Sequence, residues 1–421
     1  MSSKKLQVLE VKIDKLIHGG QGIGTLESGK KALIWGALPN ETVTFKVTKK
    51  RSDYVEGVIE SIIDASKNRI KAKDPEYLST SPWQVLDYAY ENEQKLKILT
   101  ETFNRAGVDY EKVIDWTALK VPFNYRNKME YSFFGDEKGL HLALFSRGSH
   151  HKQIIDGSSI ARAEINESAK KVCDVLNSKN VRASDLKSII LRCNSNGEVV
   201  VALFTKDSNF PKFKELENIV KGLVVVYSNP RSSASVRTED LYSYGDISLS
   251  EEILGISLKY DVFSFFQVNI EIFTSVLSDI KNEVSGKKLI DLYAGVGSIG
   301  LILGKATAII ESDKNNINWA KVNAIGTKTK VIHSTSELAL DYITNKDILV
   351  VDPPRAGLHK NLVNRILEVK PPKVVYLSCN PSTQARDLSL LQKEYKVQKI
   401  SGYNFFPRTP HIESLAIMIR I

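Results

Sequence analysis

The chain has 421 residues, 42% hydrophobic and 25% charged, which fits a globular protein of two or three domains, and no apolar run reaches membrane-helix length. The start MSSKKLQVLEVK lacks a signal-peptide core, and Cys173, Cys193 and Cys379 form neither a CxxC nor an even set, so disulfides are not expected and a reducing cytoplasm is. The formal net charge is +9, and residues 1–73 hold 14 basic against 8 acidic residues, enough either to grip a polyanion such as nucleic acid or simply to keep a surface solvated.

In chain order, residues 6–64 alternate apolar and polar in short runs: Leu9-Val11-Ile13, Ala32–Trp35, Val43-Phe45-Val47 and Val55–Ile63. Turn signals separate them at His18-Gly19-Gly20, Gly22, Gly24, Ser28-Gly29 and Pro39-Asn40. About five strands closing as an OB-like β-barrel are expected over residues 1–66. Lys49-Lys50-Arg51 beside Tyr54 offers phosphate contacts and a stacking ring of the kind used on single-stranded RNA; the alternative is a solvated basic turn.

Residues 67–87 read as an irregular connection. Tyr88–Arg105 has helical period, with Leu96, Leu99 and Phe103 on one face and Gly107 as a stop. From 121 to 262, strand-like runs recur at Met129–Phe134, Leu140–Phe145, Ile189–Leu191, Val199–Phe204 and Leu223–Tyr227, around one helix near Ala163–Leu176. A mixed α+β central domain over 67–265 follows, with no catalytic constellation in it. Tyr125-Arg126-Asn127-Lys128 either touches RNA or caps a strand.

The last third, 266–421, alternates short apolar strands with helical stretches, the pattern of a parallel sheet in an α/β fold. Its strands end in polar residues: Asp291 before Gly295-Val-Gly297 and a helix start at Ser298–Gly304, Glu311 after Ile309, Asp352 before Pro353-Pro354-Arg355, and Ser378-Cys379-Asn380-Pro381 after Val374–Leu377. Ligands of such sheets sit beyond the carboxyl ends of the strands, so these ends should converge on one crevice.

Gly295-Val-Gly297-Ser-Ile-Gly300 matches GxGxxG, and Glu311 stands where an acid would hold ribose hydroxyls, so hydride transfer with a nicotinamide cofactor is one reading. Asp291 ahead of the loop and the Asp-Pro-Pro-Arg turn suit S-adenosylmethionine instead. Cys379, at a strand's carboxyl end before a turn-forcing Asn-Pro, is placed as a nucleophile, although a lone cysteine is more often a buried hydrophobe. Glu413, ahead of an apolar final strand Ser414–Ile419, suits a general base, against the alternative of a surface glutamate. Gln267 offers both a donor and an acceptor. No metal site is read from the sequence.

These residues resemble the RNA uracil-5-methyltransferases, which join a TRAM domain to a central domain and a Rossmann-like methyltransferase domain. The matching motifs are FFQVN (265–269), DLYAGVGSIG (291–300), Glu311 with Asn323-Ala324, DPPRAG (352–357), SCNPSTQARDL (378–388) and FPRTPHIE (406–413). HGGQGIGTLESGKKALIWGALPNETV (18–43) is similar to the TRAM signature. The resemblance implies methyl transfer from S-adenosylmethionine to uridine C5 in RNA. It implies Cys379 as nucleophile, Glu413 as base, and cofactor contacts at Gln267, Tyr293, Gly295, Gly297, Glu311 and Asp352. It favours ribosomal RNA, with transfer RNA second, and a monomer; a retired, purely RNA-binding transferase is the non-enzyme alternative. Many relatives bind an iron–sulfur cluster through four cysteines. Here Ser81 ends the corresponding run before Trp83-Gln84, and Ser158 stands at the fourth position, so no cluster is expected. Ser334-Thr335 replaces the acid or amide that relatives often set against adenine.

Overall fold

The computed structural model describes residues 7–149, 151–232 and 234–421; residues 1–6 of the expected 1–66 span lie outside them. Five strands, β1 (Val8–Leu16), β2 (Gly22–Thr25), β3 (Lys31–Trp35), β4 (Thr42–Lys50) and β5 (Tyr54–Asp64), close a barrel in the order β1-β2-β3-β5-β4. Period-2 alternation turns Val11, Ile13, Ala32, Ile34, Val43, Phe45 and Val47 inward as its core. Closure needs glycine where β5 crosses β4: a Cβ on Gly57 would lie 2.5 Å from the Lys46 carbonyl oxygen.

The connection carries one short helix, α1 (Tyr77–Thr80), and leads into α2 (Tyr88–Arg105), capped by the Asp87 carboxylate on the Tyr90 amide. The strand β6 (Asp115–Thr117) follows. A seven-stranded sheet comes next, from β7 (Lys128–Asp136), β8 (Gly139–Phe145), β9 (Lys152–Ile154), β10 (Leu186–Cys193), β11 (Val199–Thr205), β12 (Gly222–Tyr227) and β13 (Glu239–Gly245), in the order β13-β12-β11-β10-β7-β8-β9. Both faces are covered, which is why β11 is buried at every residue. Val199, Val201 and Leu203 pack with α3 (Ala163–Ser178). Val200, Ala202 and Phe204 pack against the hairpin β14 (Ser248–Ile253) and β15 (Ile256–Asp261) and against the helix α4 (Ile270–Val284).

The C-terminal sheet contains β16 (Leu289–Leu292), β17 (Ala306–Glu311), β18 (Lys330–His333), β19 (Ile348–Val351), β20 (Lys373–Ser378), β21 (Tyr395–Tyr403) and β22 (Glu413–Arg420). The order is β18-β17-β16-β19-β20-β22-β21-β6, parallel except that β22 runs against both neighbours. The helices α5 (Gly300–Leu303), α6 (Lys314–Asn323), α7 (Lys360–Val369) and α8 (Pro381–Leu391) link its strands, and α5 is a single turn where a longer helix start was expected. Alternation splits the strands between two cores: Leu289, Ile309, Val350 and Val375 face α4, while Ile290, Ile310, Val351 and Val374 share a core with α2, α7 and α8. The helix α2 and strand β6 therefore build on this sheet although they precede the central strands in the chain. Among the described residues no helix is long and apolar enough to cross a membrane.

Candidate active site

The crevice begins where β16 ends. Tyr293, Gly295 and Gly297 all have positive φ (63°, 57° and 90°), so the chain curls back on itself. Asp291 Oδ2 accepts the Gly300 amide at 2.7 Å, and a Cβ on Gly300 would lie 2.9 Å from that same oxygen, so glycine is required there. Glu311 ties the loop to β17: one carboxylate oxygen accepts the Gly295 amide at 2.8 Å, the other the Ser312 and Asp313 amides at 2.8 and 2.7 Å. Asn323 donates to the Val296 carbonyl at 3.0 Å from the far side.

Three strand ends contribute carboxyls to this crevice. Burial, then the Gly300 bond working against it and the charges of Asp352 and Glu311, leave Asp291 pushed up to about 8; burial pushes Asp352 up to about 7. Asp291 Oδ1 is buried with no hydrogen-bond partner, an acceptor that a bound ligand can satisfy. Gln267 donates to Asp352 Oδ2 at a long 3.4 Å. Its backbone is clamped by Asn127, which donates Nδ2 to the Gln267 carbonyl at 3.1 Å and its amide to the Val268 carbonyl at 3.0 Å. Within the Tyr125–Lys128 stretch, Asn127 thus holds the Gln267 backbone, a role distinct from both the RNA contact and the strand cap. A cluster of buried carboxyls with an unpartnered acceptor and a glycine loop fits a cationic ligand with an ammonium and a ribose, as S-adenosylmethionine has. Tyr293 is placed differently. Its side chain lines a cavity of about 560 Å³ with Glu337, His359 and Arg386, which none of the other expected cofactor residues lines.

Cys379 and Glu413 meet through sheet register. The antiparallel pairing of β20 with β22 sets Ser378 opposite Ser414; carried one residue further, it sets Cys379 opposite Glu413. Burial and the charges of Glu413 and Asp352 push the Cys379 thiol up to about 11, while Arg355 opposes them. Burial and Asp352 hold Glu413 well above the carboxylate range. Both shifts favour the protonated form. The thiol is not activated in advance.

The loop that delivers Glu413 is held by buried charge. Glu91 and Lys95 on α2 are paired at 3.0 Å and fully buried. Glu91 accepts the Arg408 amide and the Asn404 side chain, both at 3.0 Å. Lys95 donates to Asn404 Oδ1 at 2.6 Å and to the Phe406 carbonyl at 3.0 Å. Asp387 on α8 steadies the Asp-Pro-Pro-Arg turn by accepting the Leu358 amide and the Tyr376 hydroxyl, each at 2.8 Å.

Ser81 and Ser158 are brought near one another around Gln84 and Asp74. Gln84 Nε2 donates to Ser81 Oγ at 2.6 Å and to Asp74 Oδ2 at 2.9 Å, and Ser158 Oγ donates to Asp74 at 3.4 Å. Ser334 is engaged locally, its amide on the Glu311 carbonyl at 3.0 Å. The site residues absent from the sequence-based set are Arg355 and His411, with Glu91 and Lys95 behind them. Arg355 and His411 lie inside motifs already singled out; Glu91 and Lys95 carry no signal, since charge on an amphipathic helix ordinarily faces water.

Residues 87–346 and 334–421 match the family model described as tRNA (Uracil-5-)-methyltransferase, and residues 3–59 match the TRAM domain. An uncharacterized RNA methyltransferase of Halalkalibacterium halodurans is 30% identical over 98% of this chain and 97% of its own length. One of Fusobacterium nucleatum is 28% identical over 99% and 97%. The crystal structure of Pyrococcus abyssi tRNA (uracil-54, C5)-methyltransferase in complex with S-adenosyl-L-homocysteine superposes with a TM-score of 0.78 at 23% identity, covering 98% of this chain and 100% of that one, a likeness of fold.

Proposed function

The chain belongs to the tRNA (uracil-5-)-methyltransferase family, an S-adenosylmethionine-dependent RNA methyltransferase by that membership, and we propose that it methylates C5 of a uridine in RNA through a covalent bond from Cys379 to uracil C6. The observation that carries this reading is the β20–β22 register, which sets a thiol opposite a carboxyl at the mouth of a crevice lined by Asp291, Asp352 and Gln267. S-adenosylmethionine, when bound, supplies an electrophilic methyl on a sulfonium. Asp291, Glu311, Asp352, Gln267 and the Gly295–Gly297 backbone are the groups that would hold it. Tyr293 would contribute through its backbone turn.

Burial and nearby carboxyls disfavour the Cys379 thiolate, and a cationic methyl donor, when bound, would favour it. With Cys379 and Glu413 both deprotonated to solvent, the Cys379 thiolate would add to C6, pushing the ring electrons so that C5 becomes nucleophilic. C5 takes the methyl group. Glu413, as carboxylate, removes the C5 proton, and breaking of the C6–sulfur bond restores the uracil ring and the free cysteine. The target base has to be extruded, which single-stranded loops make cheap.

Ribosomal RNA is the first substrate to test because of the TRAM-like barrel; transfer RNA is second, since the structurally similar Pyrococcus abyssi protein acts on it by its title. The test is release of tritium from RNA labelled at uridine C5. Release that requires S-adenosylmethionine supports the reading. Methylated RNA without release of that tritium would place the methyl group elsewhere, and binding without turnover would favour a retired transferase.

A further inference from the structure

The barrel reaches the crevice at one turn. Gly20 packs so closely on the catalytic loop that a Cβ there would lie 2.4 Å from Pro410 Cβ, and Trp83 Nε1 donates to the Gly20 carbonyl at 3.0 Å. This docking sets His18 beside Asn380 and Arg355. Arg355 Nη2 lies 3.2 Å from His411 Nδ1, and its carbonyl accepts Asn380 Nδ2 at 2.8 Å. Arg355 is exposed and, among the described residues, forms no ion pair. Asn380 also caps α8, so the positive end of an 11-residue helix points the same way.

We propose that Arg355, His411 and His18 form a phosphate site that seats the RNA backbone beside the extruded uridine, with the barrel turn completing it. Three donors from three chain segments converge near Cys379, and among the described residues no carboxylate pairs with any of them. Burial and Arg355 lower both imidazoles, His411 to about 4, with Lys95 and Arg126 adding to the repulsion at His411 and Asn380 opposing it at His18. A phosphodiester relieves that repulsion and can draw a proton onto an imidazole. The barrel would then act within the catalytic pocket as well as through its distant basic tip. This inference rests on the uridine-methylation reading.

The experiment measures affinity of a fluorescent oligouridylate against salt for wild type, Arg355→Gln, Arg355→Lys, His18→Ala and the Arg355→Gln/His18→Ala pair. Loss of one phosphate contact should lower the salt slope by about 0.7 in Arg355→Gln and weaken binding about tenfold. Arg355→Lys should keep the slope, with S-adenosylmethionine affinity unchanged in all variants. Because both side chains serve one phosphate, the double variant should lose less than the product of the single losses. An unchanged slope in Arg355→Gln, or losses that multiply, would overturn the site. Failure of the uridine reading appears separately, as wild-type protein that binds RNA but releases no tritium.

Discussion

On the barrel, Lys46 pairs with Glu60 at 2.9 Å and Lys49 with Glu56 at 2.9 Å across partly exposed surface, whereas Asp291, Asp352 and Glu413 share a crevice in which, among the described residues, no cation forms an ion pair with them. The barrel pairs contribute ~0–1 kcal/mol each and fade with salt. Burial penalises the charge of the crevice acids and raises all three. The contrast teaches that counting charge along the chain locates the surface a polyanion can meet, while burial decides which charges await a particular ligand. Residues 1–73 carry the excess; the chemistry sits elsewhere.

The largest loss of stability should come from breaking the buried pair behind the catalytic loop. Lys95→Met leaves the buried Glu91 with only the longer Arg408 pair at 3.5 Å and should cost about 3 kcal/mol, read from denaturant unfolding. A loss below ~1 kcal/mol would show that the loop is held by packing. By contrast, Lys49→Gln at the barrel tip should change stability by less than ~0.5 kcal/mol.

Glu311→Ala should weaken S-adenosylmethionine binding by about 2–3 kcal/mol, since the carboxylate both holds the Gly295 amide and would accept ribose hydroxyls. Calorimetric titration showing unchanged affinity would remove Glu311 from the site.

The raised Asp352 should give stability a pH signature. Between about pH 4 and about 7 the folded protein retains a proton that the unfolded chain has released, so stability falls as pH rises through that window. Asp352→Asn cannot ionise and should gain on wild type across it, by up to ~4 kcal/mol at neutral pH. Parallel pH profiles for the two proteins would contradict the shift. The thiol gives a matching readout: alkylation of Cys379 in ligand-free protein should be slow at neutral pH and rise toward about pH 11.

Smallest of all, replacing Lys49, Lys50 and Arg51 together with Gln should lower the salt slope of RNA binding by up to ~2 without touching cofactor affinity. An unchanged slope would make that tip a solvated turn.

Much of this architecture is legible in the chain. Tyr88–Arg105 reads as a helix and is one at those bounds, because its apolar face and the Asp87 cap both act locally. The five barrel strands follow from alternation and glycine turns. The strand β6 has no such signal: Asp115–Thr117 becomes a strand only by pairing beside β21. The same holds for Glu91 and Lys95, which look solvent-facing until the Asn404–Arg408 segment covers them. The motifs single out Cys379 and Glu413 separately, while their juxtaposition depends on a β22 that runs antiparallel in a parallel sheet. Long-range register is what local pattern does not carry.

The most direct measurement follows the fate of RNA on two variants. Cys379→Ser has a hydroxyl too weakly acidic to add to C6, and should form neither a covalent complex nor methylated RNA. Glu413→Gln keeps size and hydrogen bonding without a base, so addition and methyl transfer should proceed and then stall. On a denaturing gel with methyl-labelled S-adenosylmethionine, Glu413→Gln should therefore accumulate a labelled protein–RNA band that Cys379→Ser lacks. Normal turnover by Glu413→Gln, or methylation by Cys379→Ser, would contradict the account.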